Sequence, residues 1–415
     1  MIEQRDIVIA GGGMVGISLA LQLAACLPPE RRITLVEGFA LPPAAPGGRP
    51  DYHPSFDARS TALSYSTRLV YESIGIWPEL SRWLCPIETI HVSNRGRFGS
   101  TLLRAADYDW PALGYVVENA WLGNSLIQQL HRQQRVELLC PAKVIAAEPR
   151  SSGLDLTLEA EQTRQINARL LVVADGAGSG LREALGVSVA EKSYRQQALI
   201  ANVAFARPHE GCAFERCTDE GPLALLPLPG VTGAEHRSAL VWTLPPAQAE
   251  QLQDCDDEEF LGALQDRFGY RLGRLRQVGE RHTYPLALTE STEQVRHSVV
   301  VMGNAAHALH PVAGQGYNLA MRDVAELARV LDEAIRAGEA PGSLSVLQRY
   351  RQRQHNDQSR TIAMSDLLPG LFMNSDPVLG LARDMALAGL DVMAPLKREF
   401  VRYAAGVAAL GETHG

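Results

Sequence analysis

Short apolar runs, each ending at a glycine and followed by a helical stretch, recur three times along this chain. The first is Ile7, Val8 and Ile9, an unbroken apolar run that predicts a strand buried on both faces. Gly11, Gly13 and Gly16 follow at G-x-G-x-x-G spacing, and an apolar helical stretch carries on to Leu27. The second is the run 169–173, which leads into Asp175-Gly176 and a helix ending at Gly186, with Ser179 placed as its N-cap. The third is the run 298–302, which ends in Gly303-Asn304. Beyond it, Gly314-Gln315-Gly316 opens a long helix whose Val324, Leu327, Ala328, Leu331 and Ile335 keep the helical i, i+3, i+4 rule. Asp332 and Arg336 stand four apart on its wet face.

Between these units the period changes. Residues 87–103 predict two strands around a turn at Asn94–Gly96, and 198–206, 223–228 and 238–244 predict strands separated by Gly and Pro turns. A helix near 258–268 opens with Asp256, Asp257, Glu258 and Glu259, which complement its dipole without any metal. Further helices are predicted from Ala62 onward and over 122–130. The stretches 136–140 and 154–158 read as strands, and 345–410 as helical, with Val378, Leu381, Ala382, Met385 and Val392 on one face and Arg383, Lys397, Arg398 and Arg402 nearby. The fold class expected is α/β: a Rossmann-like dinucleotide-binding domain (1–80, 120–190 and 286–345), an inserted mostly antiparallel β-sheet domain (81–119 and 191–285), and a C-terminal helical segment (346–415).

A chain of 415 residues is long for one core, which agrees with two joined domains. A net charge of −8 argues against nucleic acid as a partner, since that needs a basic stripe. The six cysteines are scattered and complete no zinc set, so reduced thiols in a cytoplasmic protein are expected. No apolar run reaches the length of a spanning helix.

The glycine turns carry the chemistry. In the first, Gly11 allows a tight turn, Gly13 lets backbone approach a pyrophosphate, and Gly16 lets helix and strand pack closely. The phosphate then sits on the helix N-terminus, where free N–H groups and the dipole favour an anion. Glu37 ends the next apolar run, about 20 residues on, where a carboxylate accepts from ribose hydroxyls. That carboxylate favours an unphosphorylated ribose, hence NAD or FAD at this site. Asp175 lies at the carboxyl end of its strand, where open α/β sheets bind ligands, and the Gly314–Gly316 turn offers a second set of backbone donors. Arg59 has two readings, a solvated side chain or a contact to pyrophosphate or flavin. His307 and His310 lack a carboxylate at ligand spacing, so structural or substrate-proximal roles are favoured over a metal.

Together GGGMVG, ADGAGSGLR and GNAAHALHPVAGQGYNLAMRD resemble the single-component FAD monooxygenases that hydroxylate aromatic rings. FDARSTALS, the Asn304 variant of the third motif and the strand LIANV are most similar to the ubiquinone-biosynthesis hydroxylases, methoxyphenol-hydroxylase branch. The resemblance implies FAD as cofactor and NAD(P)H as a transient donor without its own Rossmann domain. Glu37 would bind the adenosine ribose, Arg59 the pyrophosphate or flavin side, and Asp175 the FAD region. Gly303 and Asn304 would approach the ribityl chain, with Gly314, Gln315, Gly316 and Asn318 under the flavin ring. The general family has Asp where this chain has Asn304, and many relatives carry an arginine near Asn119 that is missing here.

The implied reaction is hydroxylation of a polyprenylated methoxyphenol by O₂ through a flavin C4a-hydroperoxide. No general base stands out; His310 and Tyr317 are near by motif only. The implied partners are O₂, a lipophilic prenylphenol, peripheral membrane contact and other ubiquinone-biosynthesis proteins. The inserted sheet and residues 367–372 are the expected walls of the tail channel. Rival readings are a sister hydroxylase acting at another ring position, another FAD oxidoreductase such as a prenyl reductase, and a flavin-retaining non-catalytic subunit.

Overall fold

The computed structural model describes residues 3–45, 52–95, 100–309, 314–373, 397–399, 401–402 and 405–407. The three apolar runs become neighbouring strands of one parallel sheet. Its order is Val299–Val301, Arg164–Val173, Glu3–Ala10, Ile33–Val36 and Val136–Leu139, all parallel. The register sets Ala10 opposite both Val36 and Val173, and Val173 opposite Val301. Each of those residues is the last of its strand, so the pairing brings the following turns to one sheet edge. Ile7, Val8 and Ile9 are fully buried, as strands covered on both faces require. One face packs on the helices Met14–Cys26, Asn119–Arg132 and Gln315–Arg336. The other face packs on the antiparallel strands Lys143–Arg150 and Gly153–Glu159 and the short helix Gly180–Ala184.

A nine-stranded sheet forms the second layer. It is antiparallel except where Cys212–Cys217 runs parallel to Thr89–Asn94. One face is closed by the helices Pro246–Asp254 and Asp257–Phe268 over Trp242, Phe260 and Phe268. The other faces the parallel sheet's turns. The domain limits expected at 190/191 and 285/286 fall inside single strands, Val189–Phe205 and His282–Ser291, which pair with each other along the nine-stranded sheet.

The helix expected from Ala62 starts later. Ser60–Ser64 is a strand paired with Gly114–Glu118, and the helix runs Tyr65–Ser73. The reason is capping: the Ser64 hydroxyl accepts from the Thr67 N–H at 3.3 Å, which ends the strand and starts the helix. Ser179 and Asp256 cap their helices in the same way. Arg336 pairs with Asp332 at 2.8 Å. The helix Leu344–Met373 follows, while Val378, Leu381, Ala382, Arg383, Met385 and Val392 lie outside the described residues. No helix among the described residues is long and apolar enough to cross a membrane.

A buried ion pair joins the nine-stranded sheet to the strand Gly114–Glu118. Arg237 of the large sheet donates to Glu118 at 2.5 Å, and both are essentially unexposed. The same guanidinium donates to the carbonyls of Pro229 and Ser55, while Tyr52 donates its hydroxyl to Glu118. Charges this deep are tolerable only because nearly every donor and acceptor is used.

Candidate active site

The aligned turns open onto a groove of about 1140 Å³. Gly11 to Gly13, Glu37, Asp175, Gly176, Gly303 and Asn304 all line it, so three distant stretches of sequence share one cleft. The glycines there fall into two classes. A Cβ on Gly11 would come within 2.5 Å of the Ala174 carbonyl oxygen, and one on Gly16 within 1.9 Å of the Gly11 oxygen. These two are required by close backbone packing, and Gly11 also has φ of +111°. A Cβ on Gly13 meets nothing within 4 Å, and Gly176, Gly178 and Gly180 are equally open. The helix that Gly13 caps has no side-chain cap and no acidic residue in its first turn. Its free N–H groups are thus unclaimed by the protein and available to a pyrophosphate. A dinucleotide fits this groove.

Glu37 is more engaged than a ribose ligand alone would be. Its carboxylate accepts from the Gly12 N–H at 2.5 Å and the Phe39 N–H at 2.8 Å. A carboxylate has about four acceptor sites, so ribose hydroxyls can still bind while the backbone holds it in place. Asp175 is exposed on the groove.

Arg59 is not brought to the groove. Asn202 donates to the carbonyls of Phe56 and Ala58, and the Asn119 N–H donates to the Arg59 carbonyl, so the backbone here is pinned over the large sheet. The Arg59 guanidinium therefore reaches the Tyr284 hydroxyl at 2.9 Å, on a separate cavity of about 380 Å³. Asn119 accepts from Thr61 Oγ1 at 2.6 Å.

A second, apolar cavity of about 410 Å³ adjoins the groove; Thr61, Asn304 and Tyr317 border both. One side is the start of the helix Gln315–Arg336, with Gly314, Gln315 and Gly316. The other side is the large sheet, through Ile90, Ala213, Ala224, Leu226 and Val241. Gly314 holds φ of +61°, the left-handed cap that lets this helix begin at the cavity wall. Asn318 lines the cavity, yet its side chain is fully occupied. It donates to the carbonyls of Ala62 and Gly314 and accepts from the Ser64 N–H and Thr67 Oγ1, all within 2.7–2.9 Å. It is a positioning residue that ties the glycine turn to the Ser60–Ser64 strand. Of the sequence-derived wall at 367–372, Leu367 is exposed and the side chains beyond it lie outside the described residues.

The residues expected near the chemistry divide as well. His307 is buried, with Nε2 at 3.0 Å from Asp323 Oδ2, and Asp323 in turn accepts from Gln354 and Gln358. This is a structural tie between the Gly303 turn and two helices. His310 lies outside the described residues. Tyr317 shares its hydroxyl with Tyr71, and burial lifts it well above the ordinary phenol range, so it is a poor base. The ionisable side chain that sequence reading missed is Glu215, on the cavity side of Cys212–Cys217. Its signal, one acid in a short strand, has meaning only once that strand's inward face is known.

The comparisons agree with this geometry. Residues 142–364 match a family model described as an FAD binding domain. The ubiquinone hydroxylase UbiL of Rhodospirillum rubrum is 36% identical over 98% of this chain and 90% of its own length. The 3-demethoxyubiquinol 3-hydroxylase of Escherichia coli is 31% identical over 98% of this chain and 99% of its own. Among solved structures, the p-nitrophenol 4-monooxygenase PnpA of Pseudomonas putida superposes with a TM-score of 0.74 at 17% identity, over 97% and 99% of the two chains, a likeness of fold. With a groove shaped for a dinucleotide and relatives aligned along almost its full length, the chain belongs to the ubiquinone-biosynthesis hydroxylases, FAD- and NAD(P)H-dependent aromatic-ring monooxygenases.

Proposed function

We propose that this chain hydroxylates the ring of a polyprenylated methoxyphenol on the way to ubiquinone. The observation that carries the reading is the junction at Thr61, Asn304 and Tyr317, where a polar groove for a dinucleotide meets an apolar cavity for a ring. When bound, FAD supplies the redox chemistry that activates O₂ and delivers one oxygen atom to the ring.

The chain's own residues do the rest. Free N–H groups at the Gly13 cap would hold the pyrophosphate and Glu37 would accept from the ribose, while Asp175, Gly303 and Asn304 line the groove toward the cavity. An amide at Asn304 both donates and accepts, so it serves a ribityl hydroxyl in either sense. The first-turn N–H groups after Gly314 present a positive helix end to the cavity and would stabilise negative charge on a flavin ring held there. Ile90, Leu226 and Val241 keep water from the ring and receive the first part of the prenyl tail. Peripheral membrane contact and association with other ubiquinone-biosynthesis proteins complete the proposal, since such a tail must be drawn from a lipid phase.

A second reading has its own support. The relatives' names include a 3-demethoxyubiquinol 3-hydroxylase, so a sister reaction at another ring position uses the same cavity. The test is NAD(P)H-driven turnover of a prenylated methoxyphenol under ¹⁸O₂. One labelled hydroxyl in the product is expected, and its position separates the two readings. A yellow protein that consumes no O₂ with this substrate overturns both.

A further inference from the structure

Side chains alternate along the strand Cys212–Cys217. Phe214 and Arg216 turn toward the helical cover, where Phe214 meets Phe268 and Arg216 donates to the Arg267 carbonyl at 2.8 Å. Ala213 and Glu215 turn the other way, into the apolar cavity. There Glu215 sits across from Ala224 on one neighbouring strand and Val92 on the other. Its carboxyl has neither a hydrogen bond nor an ion pair among the described residues. The other described groups around the cavity offer no charge: Tyr317 is tied to Tyr71, and Arg216, Arg271 and His91 form their own cluster on the opposite face of the strand. Burial alone pushes Glu215 up to about 7.

An unpaired carboxyl facing an apolar cavity is costly, and apolar packing would favour Leu or Met at this half-buried position. A group left without a protein partner, and aimed into a cavity that opens on the flavin groove, has the geometry of one whose partner is the ligand. We infer that Glu215 accepts the hydrogen bond, and then the proton, of the substrate's ring hydroxyl; this rests on the phenol-hydroxylase reading above.

The step balances without a further reactant. The ring O–H bond breaks, an O–H bond forms on the carboxylate, and the electron pair stays on the ring oxygen. That charge enriches the adjacent ring carbons, one of which forms a C–O bond to an oxygen atom drawn from O₂; the O–O bond breaks, NAD(P)H supplies the two electrons through FAD, and the second oxygen atom leaves as water. The hydroxylated carbon then loses its C–H proton to water, the C–H electron pair restores the aromatic ring, and Glu215 returns its proton to the ring oxygen. A phenol ionises near pH 10, so a carboxyl lifted toward neutrality is a closer match than an ordinary one. Glu215 also gives the cavity its specificity: a ring with a free hydroxyl has a partner, and its methyl ether does not.

The experiment compares FAD-loaded wild type with Glu215→Leu and Glu215→Gln. A prenylated 2-methoxyphenol and its O-methyl ether are titrated, following the flavin absorbance, at about pH 5.5 and about pH 8.5, either side of the Glu215 titration. Wild type is expected to prefer the phenol by about tenfold at the higher pH, with the preference shrinking at the lower one. Leu abolishes the preference at both; Gln retains a smaller one that no longer depends on pH. Hydroxylated product per unit time falls about 100-fold in both variants, while NAD(P)H is still oxidised.

Folding is checked separately. The raised carboxyl costs stability as pH climbs from about 4.5 to about 7, and the full cost persists above that. Glu215→Gln should therefore melt higher than wild type at the upper pH, with the difference vanishing below about pH 4.5. A phenol preference and turnover that survive Glu215→Leu overturn the assignment. Absence of hydroxylated product from wild type defeats the activity reading instead, and the phenol-against-ether binding comparison still decides the role of Glu215.

Discussion

The dinucleotide groove and the ring cavity meet at three residues, yet they are built on opposite principles. The groove is made of backbone: glycine turns, strand ends and a helix N-terminus, all provided by short contiguous motifs. The cavity is made of side chains from two sheets and a helix start, contributed singly and from far apart in the chain. A cofactor shared by a whole family is held by main-chain groups that side-chain drift cannot alter. A substrate particular to one branch is held by side chains, each replaceable without disturbing the fold. The comparison teaches that cofactor retention and substrate choice should separate under mutation.

The sharpest way to break that contrast lies within the first motif, where adjacent glycines have different reasons to be glycine. Gly16→Ala drives a methyl into the Gly11 carbonyl, so the helix cannot dock on its strand. The expected result is loss of folded protein, read as insoluble expression or loss of a cooperative melt. Gly13→Ala, by contrast, points a methyl into the open groove. It should melt within a degree or two of wild-type apoprotein and bind FAD about 100-fold more weakly, measured by flavin titration. Equal destabilisation by both would mean that the groove's openness at Gly13 has no bearing on the cofactor.

Next in size is the pin between the nine-stranded sheet and the strand Gly114–Glu118. Glu118→Ala leaves Arg237 buried and unpaired and should cost about 3–5 kcal/mol in denaturant unfolding. Because neither Glu118 nor Arg237 itself lines the groove or the cavity, flavin affinity and substrate KM of the surviving folded fraction should change together or not at all.

The smallest expected effect falls on the cavity. Ala224 stands on the same inward face as Leu226 and Val241 and opposite Glu215. Ala224→Phe fills space meant for the ring, so KM for a prenylphenol should rise about tenfold while FAD content stays unchanged. A matching loss of FAD would show that cavity and groove are one unit rather than two.

Much of the groove was legible from the residues alone because its parts are local. The Gly11–Gly16 motif, Asp175-Gly176 and Gly303-Asn304 each announce a strand end and a turn within a few residues. Arg59 was legible as a residue but not as a position. Its backbone is pinned by Asn202 and Asn119, from strands and helices far along the chain, and that sends its side chain to Tyr284. Asn318 reads as a ring contact from its motif, whereas its four hydrogen bonds make it a brace. Glu215 gave no local signal, since a glutamate in a six-residue strand is ordinary until its face is known.

What the sequence determined by itself was the α/β class, the cofactor and the family, because strand–glycine–helix units encode backbone geometry within one turn of chain. Which side chains meet the ring was decided only by tertiary structure. Burial, register and cross-layer pairing are sums over contacts distant in sequence, and those sums made Glu215 an unpartnered acid facing the cavity, tied Tyr317 to Tyr71, and turned Arg59 away.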